Sequence, residues 1–173
     1  MRSIIRRASA LATTILFALP LPTSAAEKEG KDLKEGDAAP DFKAMGDDGK
    51  LYSLQTLRGK SVVLYFYPKD DTSGCTLEAQ QFRDDADKYA TKSTVVLGVS
   101  LDDAESHKAF RAKHKLNFPL LVSGKAIAEA YGVPTRFGLA SRQTFVIGPD
   151  GKLKKLFRSV TAKGHSGEVL QSL

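Results

Sequence analysis

The run Ser61-Val62-Val63-Leu64-Tyr65-Phe66-Tyr67-Pro68-Lys69-Asp70-Asp71-Thr72-Ser73-Gly74-Cys75-Thr76 decides the architecture. From Val62 to Tyr67 it is apolar on both alternating faces, the pattern of a central strand covered by helices on two sides. A polar loop follows. Beginning at Cys75, apolar residues recur as Ala79, Phe82, Ala86 and Tyr89, at intervals of 4, 3, 4 and 3, which predicts a helix with one buried face. Thr72 or Ser73 is positioned to cap it. Working outward, Thr94 to Val99 and Thr144 to Ile147 repeat the buried-strand pattern. The latter continues through the turn Gly148-Pro149-Asp150-Gly151 into an extended run, Lys152 to Phe157, so that end reads as a hairpin. A second hairpin is expected around Gly46-Asp47-Asp48-Gly49, with regular structure starting near Ala39-Pro40-Asp41-Phe42. Asp102 with Glu105 resembles a capping box opening a helix through about Lys115, and Gly124 to Tyr131 suggests another. Strand and helix alternate in the middle, with hairpins at both ends. The expected fold is a three-layer α/β domain with a mixed central sheet flanked by helices.

A length of 173 residues suits one such domain, here assigned to residues 39–173 behind a polar, flexible leader at 27–38. Residues Met1 to Ala26 read as a cationic start, an uncharged stretch from Ala8 to Leu21, and the small residues Thr23-Ser24-Ala25-Ala26. That is the layout of a secretory signal peptide. Pro20 and Pro22 limit any helix there to about Ala8–Leu19, roughly 18 Å, against a hydrocarbon core of roughly 30 Å. A spanning anchor is thereby disfavoured, and the mature chain is expected to begin at Ala26 or Glu27, exported and free of the membrane. Removing the three arginines of this segment takes the formal charge from +6 to +3. With its remaining basic residues scattered among 20 acids, the domain lacks the basic stripe that nucleic acid requires.

Export implies an oxidising compartment, where cysteines usually pair. The sequence holds one, Cys75. It forms no internal bridge and excludes both a Cys-x-x-Cys oxidoreductase and a zinc site of several thiolates. Cys75 falls in the first turn of the predicted helix, where free N–H groups and the positive dipole end favour a thiolate. Thr72, one turn earlier, is placed to donate its hydroxyl to that thiolate. Gly74 lets a small substrate approach the backbone amides, and Pro68, lacking an amide hydrogen, can wall off water. The competing reading makes Cys75 the first member of the apolar stripe, since free cysteine is among the most buried residue types. Spacing alone leaves the two level. The histidines do not decide it. His107 and His114 flank Phe110 on one helix face, where packing or solvation explains them, and His165 has no partner in sequence.

The chain resembles the peroxiredoxins, within them the bacterioferritin comigratory protein or peroxiredoxin Q group, from Ala39-Pro40-Asp41-Phe42 almost to its end. The strongest match is Tyr65 to Thr76, which contains the family's Pro-x3-Thr-x2-Cys pattern. Supporting matches are Phe118-Pro119-Leu120-Leu121, Tyr131-Gly132-Val133 and Arg142-x-Thr144-Phe145. The resemblance implies a thioredoxin fold and reduction of hydrogen peroxide or alkyl hydroperoxides without metal or organic cofactor. It implies that Cys75 is the peroxidatic cysteine, that Thr72 orients peroxide and thiolate, that Pro68 shields the site and that Arg142 supplies a fixed positive charge. Many members carry a resolving cysteine five residues after the peroxidatic one; that position here is Gln80. The resemblance therefore points to a one-cysteine cycle completed by an external thiol, a thioredoxin-like protein or a small molecule, in a monomer or weak dimer. The alternative on the same fold is a non-catalytic binding or holdase module with a structural or sensing cysteine.

Overall fold

The structure, a computed structural model, describes residues 33–173. The expected signal peptide, and residues 27–32 of the leader, lie outside that span. Chain order is β1 (Lys43–Met45), β2 (Leu51–Ser53), β3 (Ser61–Phe66), α1 (Ser73–Asp84), α2 (Ala86–Thr91), β4 (Thr94–Val99), α3 (Ala104–His114), β5 (Leu120–Leu121), α4 (Gly124–Ala130), β6 (Thr135–Arg136), β7 (Leu139–Ala140), β8 (Gln143–Ile147), β9 (Leu153–Phe157) and α5 (His165–Gln171). The main sheet runs β5-β4-β3-β8-β9, with β3 parallel to β4 and antiparallel to β8. A mixed sheet was expected and is found.

Alternation along β3 builds two cores. Val62, Leu64 and Phe66 pack with Ile127 and Ala128 of α4 and with Tyr131, which caps its C-terminus. On the other face, Val63, Tyr65 and Tyr67 pack with Cys75, Ala79 and Phe82 of α1, Phe110 of α3 and Val169 of α5. Burying a side chain of Leu or Phe size contributes about 1.5–3 kcal/mol, so a strand apolar on both faces holds its register on both. No described helix is long and apolar enough to cross a membrane.

Four expectations need correction. The helix predicted through Tyr89 is interrupted at Asp85, whose φ of −90° and ψ of 5° separate α1 from α2. α3 is capped by Asp103, whose carboxylate accepts from the Ser106 amide at 2.9 Å, and not by Asp102. Asp102 turns inward to Ser100 and Asp70 instead. Residues 33–38 of the leader are docked, not flexible: Leu33 is buried, Gly36 donates to the Leu153 carbonyl at 2.7 Å, and the Leu153 amide donates to Asp37 at 2.8 Å. They satisfy backbone groups at the start of the edge strand β9 that would otherwise lack partners. Last, α5 and the two-residue strands β5, β6 and β7 were not anticipated. They are too short for a periodicity to register.

Candidate active site

Cys75 stands in the first turn of α1, its side chain beneath the surface at 1% exposure. The first helical hydrogen bond is Thr76 N–H to Thr72 carbonyl at 2.8 Å, so the amides of Ser73, Gly74 and Cys75 precede the helical ladder. Thr72 is the extended cap residue (φ −83°, ψ 151°), yet its side chain makes no capping bond. Its hydroxyl donates to the Lys69 carbonyl at 3.0 Å. That proton is therefore engaged, and the expected donation from Thr72 to the thiolate is not what the structure holds. Pro68 and Gly74 are half-buried and Thr72 is exposed.

Arg142 arrives from the opposite side. The antiparallel register of β3 and β8 ends at Phe66 opposite Gln143, so Arg142 leaves the sheet beside Tyr67 and Pro68. Its Nη2 donates to Cys75 Sγ at 3.3 Å, and Nη1 pairs with the Glu78 carboxylate. Glu78 is wholly buried, and its Oε1 has no partner among the described residues. Burial raises its pKa to about 7, with Arg142 acting in the other direction. For Arg142 burial opposes the charge, but Glu78 and Cys75 hold the pKa above its ordinary value. The guanidinium is thus a permanent cation touching the sulfur.

A second polar cluster underlies the loop. Asp70 is buried, and its Oδ1 accepts from the Tyr67 hydroxyl at 2.7 Å. Its Oδ2 lies 2.8 Å from both Ser106 Oγ and His107 Nδ1. Burial works to raise the Asp70 pKa, but the hydrogen bonds of His107, Tyr67 and Ser106 together lower it. At the loop's rim His114 lies 2.8 Å from Asp71 and 3.5 Å from Gln80, and Asp71 has φ of 59°. His165 is buried against Thr144 and Glu168, on the side of α5.

The structure therefore brings Cys75 and Arg142 into contact, with Gly74 close enough that a Cβ on it would lie 3.5 Å from Arg142 Nη2, while Thr72 bonds to Lys69 and no hydrogen bond among the described residues joins Pro68 to the pair. The sequence reading missed Glu78, although it falls on the buried stripe, three residues after Cys75 and four before Phe82. A charge inside an apolar stripe was the available signal. It also missed the pairing of Asp70 with His107, which are 37 residues apart. No group of three or more His, Cys, Asp or Glu side chains suited to a metal ion occurs among the described residues. Surface hollows of about 450 Å³ beside α3 and about 330 Å³ against α1 and α2 include neither Cys75 nor Arg142.

A model of the AhpC/TSA family matches residues 35–156. The chain belongs to the AhpC/TSA family. Among relatives within it, peroxiredoxin Bcp of Bacillus subtilis (strain 168) is 44% identical over 146 residues, covering 80% of this chain and 93% of that protein. The chloroplastic peroxiredoxin Q of Triticum aestivum is 41% identical over 163 residues, covering 90% of this chain and 75% of that one. Peroxidoxin BcpB from Mycobacterium tuberculosis superimposes with a TM-score of 0.74 at 32% identity, covering 81% of this chain and 96% of that chain. The bacterioferritin comigratory protein of Xanthomonas campestris, described for its alkyl peroxide reduction activity, gives 0.73 at 32% identity, covering 82% and 95%. This AhpC/TSA protein is accordingly a peroxiredoxin of the Bcp and Q type, on the thioredoxin fold, and a thiol peroxidase by class.

Proposed function

We propose that this peroxiredoxin works outside the cytosol, reducing hydrogen peroxide and alkyl hydroperoxides through Cys75 alone, with an external thiol completing each turnover. The observation that carries the reading is the 3.3 Å contact from Arg142 to the sulfur of a thiol in a helix's first turn. A thiolate there attacks one peroxide oxygen in line, the O–O bond breaks, and the leaving oxygen takes a proton to depart as water or alcohol, giving Cys75 sulfenic acid. Arg142 and the free amides at the start of α1 stabilise charge developing on that oxygen. Thr72, its own proton engaged by Lys69, presents lone pairs that accept the peroxide O–H. Pro68 and the buried wall of Tyr65 and Phe82 limit water.

One external thiol then attacks the sulfenic sulfur, releasing water and forming a mixed disulfide. A second releases Cys75 and leaves as the oxidised disulfide. The reductant is a thioredoxin-like protein or a small thiol, and the working unit is a monomer or weak dimer. The support for an external thiol is compositional, because Cys75 is the single cysteine and Gln80 occupies the fifth position beyond it. The support for export is the pattern of Met1 to Ala26. The deciding experiment follows peroxide consumption with thioredoxin, glutathione or dithiothreitol as donor. Turnover is expected with at least one of them and none with Cys75→Ser. Without reductant, intact mass should show sulfenic acid advancing to sulfinic acid at Cys75. Equal consumption by Cys75→Ser would overturn the reading.

A further inference from the structure

The catalytic loop contains one peptide unit held from both sides. The Asp70 N–H donates to Asp102 Oδ2 at 2.9 Å, and the Lys69 carbonyl, on the same unit, accepts from the Thr72 hydroxyl at 3.0 Å. No peptide bond among the described residues is cis, so this N–H and C=O point in opposite directions, one into the protein and one toward the site. The inner anchor is itself fixed. Ser100 Oγ donates to the same Asp102 oxygen at 2.7 Å, and the Asp102 amide donates back to Ser100 at 3.1 Å. Gly124 lies against the Ser100 carbonyl, where a Cβ would stand 1.8 Å from that oxygen, so only glycine lets the two backbones pack this closely. The Asp70 side chain adds its three partners, Tyr67, Ser106 and His107.

We propose that Asp102 is a positioning residue for peroxide reduction: by holding the Lys69–Asp70 peptide in one orientation, it directs the Thr72 hydroxyl proton away from the site and leaves its oxygen to receive the substrate O–H. This rests on the reading of Thr72 as the peroxide-orienting group. If the peptide rotates, both hydrogen bonds break together, and the hydroxyl becomes free to turn its proton toward the sulfur. Asp102 touches neither thiol nor substrate, so its removal should affect reactions that need Thr72 and spare those that do not.

The test compares two reactions of Cys75 in the full chain, with hydrogen peroxide and with iodoacetamide, an uncharged alkylating agent that needs no O–H acceptor. Asp102→Ala should slow the peroxide reaction about 10- to 100-fold, a misplacement-sized effect, while alkylation stays within about twofold. Asp102→Asn keeps an oxygen for the Asp70 amide and should stay within about threefold of wild type in both. In a Thr72→Val background, Asp102→Ala should cost nothing further, since the two act through one contact. Should Asp102→Ala fail to fold, Ser100→Ala loosens the same carboxylate and should show a smaller, about threefold, loss confined to peroxide. Peroxide and alkylation rates falling in step, or an undiminished Asp102→Ala loss in the Thr72→Val background, would overturn the proposal. Peroxide reduction surviving in Cys75→Ser would instead defeat the underlying function, which is a separable result.

Discussion

Asp70 and Glu78 are two buried carboxylates on either side of Cys75, and they titrate in opposite directions. Asp70 has three side-chain donors and a pKa below its ordinary value. Glu78 has Arg142 on one oxygen and no partner among the described residues on the other, and burial lifts it to about 7. Desolvation acts against the charged form of both, so the count of donors decides the sign. The difference separates support from chemistry. The Asp70 carboxylate has a donor on each oxygen and holds the loop's shape, whereas the Glu78 carboxylate behind the sulfur is left short of partners, and Arg142 keeps a proton donor for Cys75.

The largest expected effect breaks the saturated side. Asp70→Ala strips the partner from His107, Tyr67 and Ser106 inside the protein and should cost about 3–5 kcal/mol in a denaturant titration. A loss under about 1 kcal/mol would mean that the cluster is ornamental. Next comes the reactive side. Arg142→Ala should lower the second-order rate with hydrogen peroxide by about 10²–10³, as for removal of one preorganised donor, with a smaller loss of stability than Asp70→Ala. If stability fell further than the rate, the two regions would have exchanged roles.

A pH titration sharpens the contrast. Glu78 has a folded pKa raised from 4.5 to about 7, so the folded protein holds that proton longer than the unfolded chain. Its contribution is fully present below 4.5 and is lost as pH rises through about 7, a change on the order of 3 kcal/mol. The stability of wild type minus that of Glu78→Gln should therefore fall across this window. Asp70 behaves in the reverse sense, its contribution present above the ordinary carboxylate value and lost as pH drops through its lowered one. A flat difference curve for Glu78→Gln would show that Arg142 outweighs burial. The smallest effect is graded removal: Ser106→Ala takes one of three donors from Asp70 and should cost about 1 kcal/mol, measured by thermal unfolding.

The fold was legible where one element announces itself locally. Val62 to Phe66, Thr94 to Val99 and Thr144 to Ile147 all lie in strands of the main sheet and are buried apart from the half-buried Val95, as their apolar runs predicted. Cys75 and Arg142 stood out through the resemblance to peroxiredoxins, and they meet in space. What stayed hidden depends on distant partners. His107 looked like a packing residue because Asp70 lies 37 positions away, and Asp102 looked like a helix cap because its real partner, the Asp70 amide, lies 32 away. The break at Asp85 was invisible for a different reason. The apolar spacing passes through it unchanged, and only backbone geometry records that α1 has ended.

The sheet register that delivers Arg142 has a consequence for the chain before it folds. Sulfur and guanidinium are 67 residues apart in sequence and meet only once β8 has paired with β3. Such long-range pairing is among the slower events of folding. Until then the thiol lacks its fixed cation. A chain not yet folded thus lacks that contact, and speed toward peroxide is acquired at the moment the sheet closes. Peroxide reactivity sampled during refolding would rise with β3–β8 pairing, making Cys75 a chemical clock for that step.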